Sequence, residues 1–183
     1  NHGGYLRPVA NITRGQIAKQ VSVAAGFGDD PGPQIYTDVP TTQTFFPYIN
    51  RLTNRGLVGG YPCGGPNEPC DSLNRPYFRP GANATRGQVA KIDANAAGYS
   101  DTPGAQQYEV VLPGSTFYDF IWRLSERGLV NGYPCGGSRE QCGCGSLPDF
   151  RPSANATAGQ ARTSVANRFS PACHCSTASP THC

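Results

Sequence analysis

The sequence predicts a mainly α-helical chain built from a repeated unit, and three observations carry that expectation. Blocks of residues recur at a constant offset of 72: Thr13-Arg14-Gly15-Gln16 returns as Thr85-Arg86-Gly87-Gln88 and again as Thr157-Ala158-Gly159-Gln160. Apolar residues inside each unit are spaced by three and four, which places them on one helical face. Hydrophobic residues make up 37% of the 183 positions, enough for a core in spite of 23 Gly and 17 Pro.

Each unit carries two helix signals. The first-type helix starts at Thr44 or Thr116 and runs through Phe45, Ile49 and Leu52, or Phe117, Ile121 and Leu124. Asp119 stands three residues after Thr116, close to a capping box, whereas Pro47 takes that place in the first copy and suits a first turn. Gly56 and Gly128 are expected to stop these helices in the left-handed conformation, with Leu57 or Leu129 as the apolar contact that follows. The second-type helix starts at Thr13, Thr85 and Thr157, each with Gln three positions on, the capping-box spacing. Ile17 and Val21, or Val89 and Ile92, then face inward. In chain order this gives a half repeat at 1–35, a full repeat at 36–107, a second at 108–169 and a Cys-rich tail at 170–183. Three second-type helices face only two of the first type, which leaves one apolar slot unmatched.

Turn-rich loops, Gly59 to Pro80 and Asn131 to Pro152, join the two helix types. Cys63 and Cys70 return at the same offset as Cys135 and Cys142. A bridge within each loop closes a ring of about eight residues and stabilises by roughly 2–3 kcal/mol. Cys144, Cys173, Cys175 and Cys183 remain, and either form two bridges that tie the tail down or link neighbouring chains. Eight cysteines, an even count, predict disulfides and an exported protein. The absence of Met predicts a mature chain whose signal peptide or pro-segment preceded Asn1.

Composition and motifs exclude several functions. A net charge of +3, from 15 basic and 12 acidic side chains, is too weak for a nucleic-acid partner. No apolar run approaches the roughly 20 residues that span a bilayer, so no membrane insertion is expected. The histidines, His2, His174 and His182, lie near the termini, leaving the repeated body without a histidine base. Asp119 and Glu126 read as a cap and a solvated side chain rather than a glycosidase pair. Cys173-His174-Cys175 lacks the two-residue gap usual for zinc, so no metal and no cofactor are predicted. The chain is expected not to be an enzyme.

The order of Tyr36-Thr37-Asp38-Val39-Pro40, an apolar helix, Gly56-Leu57-Val58-Gly59-Gly60-Tyr61, Phe78-Arg79-Pro80 and Thr85-Arg86-Gly87-Gln88 resembles the S-layer homology (SLH) motif. The resemblance runs from Tyr5 to about Phe169 and makes the expected fold one of SLH-like helix–loop–helix repeats with long disulfide-closed loops. It implies an extracellular place at the bacterial cell surface. The family's polymer-binding signature reads Thr-Arg-Ala-Glu at the start of the second helix. Here Gln replaces the Glu throughout, and Ala158 replaces the Arg in the third copy. Arg14 and Arg86, beside helix N-termini whose backbone N–H groups hold anions, are the candidate polysaccharide-binding residues, with Trp122 as a face for a sugar ring. Asn11, Asn83 and Asn155 fit the Asn-x-Thr glycosylation pattern, although a turn Asn before a capping Thr is the stronger reading. Two functions follow. The first is a structural surface protein that assembles head to tail into a layer or filament, its unmatched slot filled by a neighbouring chain or by its own tail. The second is an SLH-type module that anchors to cell-wall polysaccharide.

Overall fold

The structure is a computed structural model and describes residues 8–136 and 147–169. It contains helices α1 (Arg14–Ala24), α2 (Phe46–Asn54), α3 (Arg86–Ala96), α4 (Tyr118–Ser125) and α5 (Ala158–Phe169). Strand pairing among the described residues is confined to isolated bridges, so the fold is mainly α as expected.

The second-type helices α1, α3 and α5 meet through a closed ring of backbone hydrogen bonds. Ile12 donates to the carbonyl of Ala156, Ala156 to that of Ala84, and Ala84 to that of Ile12, each at 2.9 Å. These residues stand 72 apart, so the chain closes its own repeat around a pseudo-threefold axis. The same neighbours cap the helices. Arg14, Arg86 and Ala158 donate their N–H groups to Ala82, Ala154 and Ala10, each at 2.8 Å. Gly15, Gly87 and Gly159 donate to Pro80, Pro152 and Pro8, each at 2.9 Å. The next N–H of each helix, from Gln16, Gln88 or Gln160, goes to the capping threonine hydroxyl, and the Gln side chain returns a bond to the threonine N–H. A helix start leaves its first N–H groups without intrahelical partners, and here all three copies fill them in the same way.

The first-type helices begin one or two residues later than the spacing predicts, at Phe46 and Tyr118, after Phe45 and Phe117 as N-caps with no side-chain bond. A turn precedes each helix and satisfies its entry: Phe46 donates to the Gln43 carbonyl, and Tyr118 to that of Ser115. The capping box expected at Thr116 and Asp119 therefore does not form, and Asp119 pairs instead with Arg123 at 3.6 Å. The expected stops hold. Gly56 and Gly128 lie at φ 67° and 65°, and Leu57 and Leu129 donate back to the carbonyls of Leu52 and Leu124 at 2.9 Å, the Schellman pattern. Gly26 and Gly98 end α1 and α3 with the same geometry, a stop not foreseen from the sequence.

Helix pairing follows chain order and crosses the boundaries of the repeat read from the sequence. α2 packs on α1 and α4 on α3, so each first-type helix lies against the second-type helix that precedes it. Glycine makes this possible: a Cβ on Gly15 would stand 2.5 Å from the Phe45 ring, and one on Gly87 2.4 Å from the Phe117 ring. Among the described residues α5 has no first-type partner. The core falls into two clusters. One gathers α1, α2, the inner faces of α3 and α5, and the ring residues Ile12, Ala84 and Ala156. The other lies around α4 with Tyr108 and Phe150.

The first loop is closed by the Cys63–Cys70 disulfide. Tyr61 and Tyr77 exchange backbone bonds at its base, both 2.8 Å. In the second loop Tyr133 and Asp149 exchange the equivalent pair, and Cys135 is disulfide-bonded. Its expected partner Cys142 lies outside the described residues, as do Cys144, Cys173, Cys175 and Cys183, the three histidines and the tail at 170–183.

Candidate functional site

Both candidate arginines start a helix at the ring, and both are buried. Arg14 and Arg86 are each 8% exposed. Arg14 Nε donates to the Phe78 carbonyl at 2.8 Å and Nη2 to that of Gly59 at 2.9 Å. Arg86 repeats this on Phe150 at 2.7 Å and Asn131 at 2.9 Å. Each guanidinium also stacks on rings: Arg14 lies 4.4 Å from the Phe78 centroid and 5.1 Å from Tyr61, while Arg86 lies 4.3 Å from Phe150 and 5.1 Å from Tyr133. Burial pulls both pKa values below the ordinary arginine value, the nearby tyrosines opposing it. Arginine stays protonated at neutral pH all the same. Each side chain thus ties a second-type helix to the loop of the next unit, and neither is a solvated first-turn residue.

The expectation that backbone N–H groups beside these arginines hold an anion is corrected by the ring. At all three helix starts those donors are already bonded to carbonyls of the neighbouring copy or to the capping threonine. A donor with a good protein acceptor has nothing left for a ligand.

Among the described residues a cavity lies between α3, the segment after α4, and α5. Its volume is about 340 Å³, at the lower end of the usual range for ligand sites, roughly 300–1,000 Å³. Arg86 forms part of its wall, with Tyr133 and Phe150 beside it. Val89, Ala90, Leu129, Val130 and Ala161 supply apolar surface. Asn131 and Thr163 are exposed, and Gln160 is half-buried with its amide donating to the Tyr133 hydroxyl at 3.0 Å. Ser164 is buried and donates to Asp93 Oδ2. No Asp or Glu is among the described lining residues.

The other candidates sit elsewhere. Arg14 is in the first copy and does not line this cavity. Trp122 on α4 is half-buried, with its ring 3.2 Å from where a Cβ on Gly104 would stand. Its counterpart in the first copy is Asn50, whose amide holds the Pro31 and Pro33 carbonyls at 3.2 and 2.7 Å. Trp122 and Asn50 hold the same stretch of chain by different means. Asn11, Asn83 and Asn155 are all exposed and lie in the bridges of the ring, while the following residues Thr13, Thr85 and Thr157 cap helices. The described residues contain no cluster of His, Cys, Asp and Glu suited to a metal, and none of their helices is long and apolar enough to cross a membrane.

Sequence reasoning missed Ala161, Ser164, Asn131 and Gln160 as lining residues. The available signal was the departure from the repeat, since Ala161 and Ser164 stand where the preceding copy has Val89 and Ile92.

Residues 35–71 match the model of the S-layer homology domain. No curated protein matches the chain.

Proposed function

We propose that this chain, which carries an S-layer homology domain, is a non-catalytic anchor that holds cell-wall polysaccharide in the groove between α3 and α5. An S-layer homology domain is an anchoring module associated with the cell surface and typically binds cell-wall polymers. The observation that carries the reading here is the open groove, lined by apolar, amide and hydroxyl groups beside a fixed guanidinium. In this reading 108–169 is a second SLH-like unit, 1–35 a half unit, and the cysteine-stapled loops are rigid walls suited to an extracellular setting. Arg86 contributes by holding the wall in place. Arg14 does the same for the first copy, and Trp122 for the segment around Gly104.

Sedimentation with purified sacculi tests the anchor. The chain is expected to pellet with sacculi that carry their polysaccharide and to stay in solution with sacculi stripped of it. Equal pelleting with both refutes a polysaccharide ligand. Intact-mass measurement of native protein checks Asn11, Asn83 and Asn155, since glycans add mass in sugar-sized steps.

Head-to-tail assembly into a layer or filament is the second reading, and one observation favours it: α5 has no first-type helix among the described residues. Against it stands the chemistry of that face. Ala18 and Ala90 are buried where α2 and α4 pack, and the equivalent position on α5 is Arg162, which is exposed. The backbone ring closes within one chain, so it offers no free edge to a second. Sedimentation velocity at rising concentration separates the two readings: a single monomer species rules out the filament, and a growing polymer series rules it in.

A further inference from the structure

We infer that Asn11, Asn83 and Asn155 are sites of asparagine-linked glycosylation, so that the ring of helix starts carries three sugar chains on its outer face. Each asparagine opens an Asn-x-Thr acceptor triplet, and the triplets stand 72 residues apart. The fold accounts for two of the three positions in each triplet and leaves the first without a structural task. The threonines cap α1, α3 and α5 by accepting from the N–H groups of Gln16, Gln88 and Gln160. The middle residues, Ile12, Ala84 and Ala156, are 1%, 0% and 1% exposed and close the ring through their backbone.

The turn that would explain an asparagine ends before it. Ala82 donates to the Arg79 carbonyl at 3.0 Å and Ala154 to that of Arg151 at 3.1 Å. Asn83 and Asn155 come after those turns, where they bridge to Thr13 and Thr85, and Asn11 bridges to Thr157. Asparagine is depleted in such extended chain. Its usual advantages are a left-handed backbone or a side-chain bond to nearby backbone. None of the three has a positive φ, and among the described residues their side-chain amides make no hydrogen bond. All three are exposed. Side chains alternate along extended chain, so with Ile12, Ala84 and Ala156 turned into the core the asparagines face outward around the pseudo-threefold axis. Nearby exposed positions differ from copy to copy, as Val9, Gly81 and Ser153 do, while the asparagine stays.

The donor is a sugar activated as a lipid-linked diphosphate. Asn Nδ2 attacks its anomeric carbon, a nitrogen–carbon bond forms, and the bond from that carbon to the diphosphate oxygen breaks. The diphosphate leaves with the bonding electron pair, and the amide nitrogen gives up one proton to a base of the transferase. In the folded chain the exposed, unbonded amides leave room for the bulky, solubilising product. Each threonine of the triplet is by then half-buried and occupied with its cap, which places the transfer before the ring closes.

Peptide mass mapping of the chain purified from the cells that make it tests this. Peptides holding Asn11, Asn83 and Asn155 are expected to carry sugar-sized mass additions. Asn11→Gln removes the addition from its own peptide, and Thr13→Ser, which keeps both acceptor and cap, retains it. The chain made in a host without a transferase separates modification from structure. There Asn11→Gln, Asn83→Gln and Asn155→Gln are expected to leave the melting temperature unchanged, whereas Thr13→Val, which removes the cap, lowers it. A peptide found only at its unmodified mass overturns the inference for that site. A melting temperature that falls as far with the glutamine variants as with Thr13→Val overturns it for all three, because the asparagines then belong to the fold. Neither outcome touches the anchoring reading, which sedimentation with sacculi tests separately.

Discussion

At the junction between loop and second-type helix, the two copies meet one demand with different residues. Arg79 and Arg151 both adopt left-handed backbone, φ 60° and 55°, a costly conformation for a residue with a Cβ. In the first copy Asp38 reaches across from the segment before α2, its carboxylate accepting from Phe78 N–H at 2.8 Å and Arg79 N–H at 2.6 Å. The second copy has Val110 at that place, half exposed. There the carboxylate arrives two residues before the arginine, as Asp149, which accepts from Arg151 N–H at 2.9 Å and stands where the first copy has Tyr77. What persists is the donor that must be satisfied, not the position of the residue that satisfies it. Packing positions differ as well: Val89 and Ile92 on α3 stand where α5 has Ala161 and Ser164, and a cavity lies beside the smaller pair.

The largest expected effect breaks what the copies share. Arg14→Ala and Arg86→Ala each strip one buried and one part-buried carbonyl of a charge-assisted donor, so each is expected to cost roughly 3 kcal/mol in urea unfolding. Equal losses support one common role, whereas a loss at only one of them shows that the copies have diverged in load. The third copy already carries Ala158 and has no such tether to lose. Removal of the first staple with Cys63→Ser and Cys70→Ser is expected to cost about 2.5 kcal/mol, the chain-entropy value for a ring of about eight, read as a lower guanidinium midpoint. Reducing agent should act on wild type in the same direction and by more than on the variant, which keeps the bridge at Cys135.

Glycine at the helix start gives a finer contrast. Gly15→Ala and Gly87→Ala drive a Cβ into the Phe45 and Phe117 rings and are expected to cost about 2 kcal/mol each through overpacking. Gly159→Ala meets the Pro8 carbonyl at 3.0 Å and no aromatic ring. It also gains helix propensity worth up to about 1 kcal/mol, so its melting temperature should move least. A Gly159 variant as damaged as the other two would mean that α5 carries a first-type partner after all.

The smallest effect concerns the first loop at acid pH. Hydrogen bonds from the Arg75 backbone and side chain hold Asp71 at a pKa of about 2, below its ordinary 3.8. A depressed carboxylate stabilises fully above its unfolded pKa, and that contribution is lost as pH falls through the folded value. Wild type is therefore expected to exceed Asp71→Asn in urea midpoint at pH 7, with the gap narrowing between pH 4 and pH 2. The second copy has Gly143 at this position and no equivalent carboxylate to titrate. A gap that stays constant down to pH 2 would show that the ion pair contributes nothing.

Local features were legible because their causes are local. Thr13, Thr85 and Thr157 with Gln three residues on form their capping boxes, and Gly56 and Gly128 stop their helices, since each bond closes within a few residues. The starts of α2 and α4 were misplaced for the converse reason: a turn ending at Phe45 or Phe117 satisfies the entry, so no threonine cap is needed. The arginines were found but their surroundings were not. Arg14 bonds to a carbonyl 64 residues away and Arg86 does the same, a distance over which spacing carries no information. The groove was legible only in part, as a pair of small residues where the repeat predicts large ones.

By itself the sequence determined the helices, their caps and stops, the 72-residue period and the resemblance that points to the cell surface, because periodicity and capping act within one turn of chain. Tertiary structure alone decided that each first-type helix packs on the helix before it, that three helix starts close a ring inside one chain, and that a cavity opens between α3 and α5. Those outcomes depend on which side chains meet across the fold, on a ring over a glycine or an Ala facing a Leu, and neither partner announces the other along the chain.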